Sequence, residues 1–267
     1  METIPNSWAT PAPIRAAFFD IDGTLAHLGT LDLLPSSIRA LEELRAHGVK
    51  CFVASGRGPL DVDGLPMELF DGVAFFNGQL CMVGETVVHD LRFSRESLDA
   101  LLAFARTTER AMTFQGTERL FSVRRSENFY RVYNVALERF PLCDPDAILE
   151  GSIYQSSIEC APGDEEEVIA QLPGCELARW NPLFTDIIPV GGGKGNGARA
   201  VLAHLGLTCD EAVAFGDSES DIAMFTACGT AVAVDGASPA AKAAATYVTD
   251  DIDDGGVYRA CVRLGLV

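Results

Sequence analysis

Three early stretches, IRAAFFD at 14–20, VKCFVASG at 49–56 and GVAFFNG at 72–78, are apolar over nearly their whole length. A strand that alternates apolar and polar residues has one wet face. A strand that does not alternate has to be covered on both. Between the first two lies PSSIRALEELRAHG (35–48), with helical periodicity, proline near its start and glycine at its end. A further helix is expected around 60–70. This strand and helix alternation predicts a parallel sheet with helices on both faces.

From 79 to about 186 the texture changes to hairpin-like pairs, CMVGETVVH and MTFQGTERLFSV, with helical patterns near 94–108, 126–140 and 164–172. The first texture then returns. GKGNGARAVLAHLG (193–206) reads as a helix, EAVAFGD as a strand, ESDIAMFTACG as a helix and TAVAV as a strand. SPAAKAAA reads as a helix, TYVT as a short strand and 254–265 as a closing helix. The expected organisation is an α/β core formed by 1–78 and 187–267, with an α+β domain inserted over 79–186.

The 267 residues suffice for a full core, and the formal charge of −18 opposes a nucleic-acid or anionic-membrane partner. METIPNSWATPAPI has neither the basic nor the apolar region of a signal peptide, and no run reaches the roughly 18 apolar residues of a membrane span. Eight cysteines show no CxxC spacing and no clustering with the four histidines. They read as reduced core residues of a cytoplasmic protein and not as zinc ligands.

Four signals fall at the ends of expected core strands or at the start of the next helix, the edge where open parallel sheets bind ligands. The first is DIDGT (20–24), in which Asp20 and Asp22 end a buried strand, a costly place for carboxylates without a partner, unless the stretch is a turn with helix-capping acids. A second copy, DVDG at 61–64, follows RGPL and lacks the threonine, so it is read as a surface turn or helix start without a site role. In ASGR (54–57), Ser55 either caps a turn or offers its hydroxyl, with nearby backbone N–H groups, to phosphate oxygens. Lys194 in GGGKG opens a helix against the helix dipole. It either shares an anion with the N–H groups there or is solvated. In GDSESD, Asp217 and Asp221 lie one helical turn apart. At roughly 4 Å and an effective dielectric near 20 their repulsion is about 4 kcal/mol, which a cation between them removes. Oxygen-only ligands suit Mg²⁺; helix capping is the alternative for either aspartate singly.

Together and in this order, the four stretches resemble the haloacid-dehalogenase-like superfamily of phosphotransferases. DIDGT matches its first motif, Ser55 its second, Lys194 its third and GDSESD its fourth. The insertion resembles the type II cap of Cof-like sugar-phosphate phosphatases, and FFNGQL resembles the asparagine-glycine that precedes that cap. The resemblance spans the chain after its N-terminal tail. It implies a Rossmann-like core with a substrate-selecting cap, and Mg²⁺-dependent hydrolysis of a small phosphorylated metabolite such as a sugar phosphate.

It further implies that Asp20 is the nucleophile, forming an aspartyl-phosphate, while Asp22 protonates the leaving oxygen and then activates water. Asp20, Asp217, Asp221 and the backbone carbonyl of Asp22 would hold the metal. Ser55, the Gly56 backbone and Lys194 would hold the phosphoryl oxygens. Asn77 would be a substrate contact, although Asn-Gly between apolar stretches is also a hairpin turn. Gly23 and Thr24 would shape the turn after the nucleophile. Ser220 departs from the family, which usually carries asparagine there. Four carboxylates against one lysine would repel a dianionic phosphate, so charge balance calls for the divalent ion. Two alternatives are a phosphomannomutase-like mutase, for which Arg124, Arg125 and Arg131 would have to form an anion cluster, and a non-catalytic sugar-phosphate-binding protein.

Overall fold

The computed structural model describes residues 8–133 and 137–267. The chain divides into two compact units, one formed by residues 8–56, 62–90 and 193–267, the other by Arg57–Asp61 and Leu91–Gly192.

The first unit is built on an eight-stranded sheet. Its strands are β1 (Ala16–Phe19), β2 (Lys50–Ala54), β3 (Gly72–Phe75), β4 (Leu80–Val83), β5 (Thr86–Asp90), β11 (Ala212–Gly216), β12 (Thr230–Ala233) and β13 (Tyr247–Val248). The order is β13-β12-β11-β1-β2-β3-β4-β5. All pairs from β13 to β3 are parallel, and the two pairs made by β4 are antiparallel. From β1 the chain winds first through β2 and β3 and later, on the other side, through β11 and β12. Strand order therefore reverses between β1 and β11, opening a crevice at their C-terminal ends. β1, β3, β11 and β12 are buried at every position, as their unbroken apolar runs require.

Helices α1 (Pro35–Ala46), α5 (Lys194–Leu205), α6 (Ile222–Ala227), α7 (Pro239–Ala244) and α8 (Gly256–Arg263) complete this unit. Pro35 presets the first turn of α1, and Gly206, at φ +66°, ends α5 in the left-handed region. The helix expected around 60–70 is absent. Two 3₁₀ turns stand there, Pro59–Asp61 and Met67–Leu69, because Pro59, Gly64 and Pro66 interrupt any longer run.

The second unit has a five-stranded antiparallel sheet of β6 (Met112–Gly116), β7 (Leu120–Arg124), β8 (Ile153–Glu159), β9 (Cys175–Arg179) and β10 (Phe184–Pro189), in the order β7-β6-β8-β10-β9. Its helices are α2 (Arg95–Thr107), α3 (Glu127–Val132) and α4 (Glu165–Ile169). One sheet face, including Met112, Phe114, Ile158 and Ile187, shares a core with Leu101 and Phe104 of α2. The intervening positions Thr113, Gln115, Gln155, Ser157 and Asp186 are polar yet buried. The helix expected over 126–140 is confined to α3 before the gap, with a 3₁₀ turn at Leu137–Arg139 after it; 134–136 lie outside the described residues.

The insertion boundaries differ from the expected 79–186. β4 and β5 extend the core sheet because the Phe76–Gly78 turn folds Leu80 back against Phe75. The first unit consequently runs to Asp90 and resumes at Gly193. The second DVDG copy also differs from the expected surface turn. Asp61 is buried, ion-paired with Arg139 at 3.3 Å, and its carbonyl accepts from the Arg57 guanidinium.

Candidate active site

β1 and β11 run in register, Phe19 opposite Phe215, so Asp20 and Asp217 leave the sheet at the same edge. Ser55 leaves that edge one residue after β2. Asp20 is fixed by its own N–H, which donates to the Phe215 carbonyl at 3.0 Å. Its Oδ1 lies 2.6 Å from Lys194 Nζ, and the same nitrogen lies 2.6 Å from Asp221 Oδ1. All three side chains are almost wholly excluded from solvent. The lysine thus bridges two carboxylates supplied by opposite ends of the chain.

Asp221 is held on both oxygens. Its Oδ2 accepts from the N–H of Asp217, from the N–H of Ser218 and from the Ser218 hydroxyl, at 3.0–3.1 Å. Gly216 makes this possible, since a Cβ there would lie 2.5 Å from the Asp221 carboxyl carbon. Asp217 differs. Its Oδ1 is buried and without a hydrogen-bond partner among the described residues. Its carboxylate abuts the turn after Asp20, where Gly23 sits at φ +84° and a Cβ would come within 2.5 Å of Asp217 Oδ2.

Electrostatics follow from burial. Desolvation raises Asp20 well above the ordinary carboxylate range; Lys194 opposes this, but Asp221, Asp217 and Asp22 add to it. Burial and Asp221 push Asp217 up to about 7, against the pull of Lys194. For Lys194 burial acts downward, and the contacts with Asp20 and Asp221 outweigh it and raise the ammonium. One ammonium faces two buried carboxylates and the half-buried Asp217, and their full ionisation would leave two negative charges uncompensated. Oxygens of Asp20, Asp217 and Asp221 lie within 4.8 Å of one another. This compact, all-oxygen set with an orphaned lone pair on Asp217 fits a hard divalent cation.

The remaining candidates occupy the same unit. Asp22 is half-buried, accepts from the Gly29 N–H at 2.9 Å and lies close enough to disfavour charging of both Asp20 and Asp217. Ser55 is buried; its N–H donates to the Ala74 carbonyl and its own carbonyl accepts from Asn77 N–H at 2.8 Å. Gly56, which follows it, is half-buried. Asn77 is buried at φ +57°. Thr24 is buried with its hydroxyl unpartnered among the described residues. Ser220, in the departing position, sets its hydroxyl 2.9 Å from that of Ser218.

The arginines of the second unit are engaged elsewhere. Arg124 pairs with Glu109 at 2.9 Å, while Arg125 donates to Ser122 and to the Phe140 carbonyl and lies over the Phe129 ring. Arg131 is exposed on α3. Arg124 and Arg125 are thus already held by carboxylate, hydroxyl and carbonyl groups of their own unit.

Gly195 and Gly197 lie in the helix expected over 193–206, where the sequence gives them no role of their own. A Cβ on Gly195 would lie 2.3 Å from the Ala223 carbonyl oxygen, and one on Gly197 would lie 2.7 Å from Gly78 Cα. They are close-packing sites. The available signal was the cost of glycine inside a helix, which is tolerated where a neighbour needs the room.

A family model described as haloacid dehalogenase-like hydrolase matches residues 17–261. The Bacillus subtilis (strain 168) protein "Putative phosphatase YkrA" is 30% identical, with 95% of this chain and 98% of that protein covered. The solved structure of the subclass IIB sugar phosphatase BT4131 is 31% identical, with a TM-score of 0.86 over 95% of this chain and 100% of that one. BT1666 from Bacteroides thetaiotaomicron, a phosphatase of the same superfamily, superposes with a TM-score of 0.86 at 27% identity, covering 100% of this chain and 99% of that one. No helix among the described residues is long and apolar enough to cross a membrane. With its strand order, its lysine-bridged carboxylates and these likenesses, the chain belongs to the haloacid dehalogenase-like hydrolase family, as one of its phosphatases.

Proposed function

We propose that the protein hydrolyses the phosphate monoester of a small polyhydroxylated metabolite, a sugar phosphate or a close analogue, through an aspartyl-phosphate on Asp20. The carrying observation is Lys194 Nζ at 2.6 Å from both Asp20 and Asp221. Lys194 counters the burial and neighbouring carboxylates that raise Asp20, and a divalent cation beside it would further favour the ionised form that attacks phosphorus. Asp22, two residues on, protonates the departing oxygen and then takes the proton of the water that cleaves the acyl phosphate. Lys194, Ser55 and the Gly56 N–H hold the phosphoryl oxygens, and Asn77 contacts the substrate. Mg²⁺ fits the oxygen set of Asp20, Asp217 and Asp221 with the Asp22 carbonyl; when bound it offsets the negative charge that would repel a phosphate.

The unit formed by Arg57–Asp61 and Leu91–Gly192 is assigned the selection of the leaving group. Thr113, Gln115, Gln155 and Ser157 share one face of its sheet with the Asp186 carboxylate, a set that suits hydroxyls better than a second phosphate. The sugar phosphatase BT4131 supports the same substrate class.

The test is phosphate release from an aryl phosphate and a panel of sugar monophosphates and bisphosphates. Release with Mg²⁺ and a preference for monophosphates are expected, together with a loss of at least about 10³-fold on Asp20→Asn or on chelation. Undiminished turnover by Asp20→Asn would overturn the reading.

A further inference from the structure

We propose that the Phe76–Gln79 turn braces the site and that Gln79 is a positioning residue for Lys194; the inference rests on the phosphatase reading above. Phe76, Asn77 and Gly78 follow one another at φ +52°, +57° and +89°. Phe76 and Asn77 are the only non-glycine residues in the left-handed region among those described. Strain of this kind persists where surrounding contacts over-determine it.

Those contacts join two site segments that are remote in sequence. On one side, the Asn77 N–H donates to the Ser55 carbonyl at 2.8 Å. On the other, Gln79 Oε1 accepts the N–H of Gly193, the residue before Lys194, at 3.1 Å. Gly193 opens α5 at φ +89° and has no side chain with which to cap it. Gln79 supplies the cap from across the fold.

Gly78 completes the brace, since a Cβ there would sit 2.8 Å from the Gly193 carbonyl oxygen and 3.1 Å from Gly197 Cα. Gln79 is fully buried, and its Nε2 has no partner among the described residues. Burying an amide with half its capacity unused is unfavourable, so the bond made by Oε1 is the feature that accounts for it. Lys194 must place one nitrogen between Asp20 and Asp221, and a small slide of the α5 N-terminus would break that placement.

Gln79→Met keeps the volume and removes the cap; Gln79→Glu keeps an acceptor at the same place. With a substrate that the unsubstituted protein turns over, Gln79→Met is expected to lower kcat by about 10- to 100-fold with KM changed less than about threefold. Gln79→Glu is expected to recover part of that loss. Hydrogen exchange should quicken in the 191–197 segment of Gln79→Met, a readout independent of activity. Unchanged kcat, or unchanged exchange at 191–197, would overturn the brace. Equal losses in both variants, accompanied by a fallen Tm, would assign Gln79 to packing and overturn it too. Absence of phosphate release by the unsubstituted chain would instead count against the phosphatase reading, and the exchange measurement would still decide the brace.

Discussion

Asp217 carries the clearest pH signature of the site. Its carboxyl is pushed up to about 7 by burial and by Asp221, against an ordinary value of 3.8. Between these limits the folded, metal-free protein holds a proton that the unfolded chain has given up. Raising pH through the window therefore removes stability, by on the order of a few kcal/mol. A divalent cation held by Asp217 would take the place of that proton and flatten the dependence. Thermal unfolding in chelator at pH 5 and pH 8, repeated with Mg²⁺, checks this; a slope indifferent to the metal would contradict it. At this scale DIDGT and GDSESD stand out as candidates because carboxylates at the ends of buried strands need a reason. Asp61 does not. Its apparent surface turn is buried by Arg139, 78 residues later in the chain, and no local pattern announces a distant ion pair.

Among the elements, α5 gives the sharpest test. Glycine to alanine inside a helix ordinarily stabilises by about 0.5–1 kcal/mol. At Gly195 the sign should reverse, because the new Cβ would meet the Ala223 carbonyl oxygen at 2.3 Å. Forcing α5 away from α6 should cost about 1–3 kcal/mol, read from the denaturant midpoint of Gly195→Ala. A stabilised variant would contradict the packing described. The core strands and α1 were legible from continuous apolar runs and from Pro35. β8 was not, because Gln155, Ser156 and Ser157 are all buried in a strand whose polar residues break both the alternating and the continuous pattern. The hairpin of β4 and β5 was legible as a hairpin. Its membership in the core sheet depends on the left-handed turn at Phe76 and Asn77, which residue type does not favour for phenylalanine.

For the whole molecule, the charge of −18 acts on substrate approach. A phosphate monoester nears a surface of its own sign, and added salt screens the repulsion. At saturating Mg²⁺, kcat/KM should rise between about 10 mM and 150 mM salt while kcat stays level. A fall in kcat/KM would point to a locally positive entrance. The division into two units was legible as a change of texture along the chain. Its boundaries at 90 and 193 depend on strand pairing, which composition does not encode.

The central claim is that Asp20, poised by Lys194, becomes phosphorylated during turnover. Acid-quenching the protein with substrate and Mg²⁺, then reducing with borohydride, converts an acyl phosphate to a primary alcohol. Mass spectrometry of the peptide bearing residues 16–28 should then find that alcohol at position 20, dependent on both substrate and metal. Steady phosphate release with an unmodified residue 20, or with the modification at another carboxylate, would contradict the account.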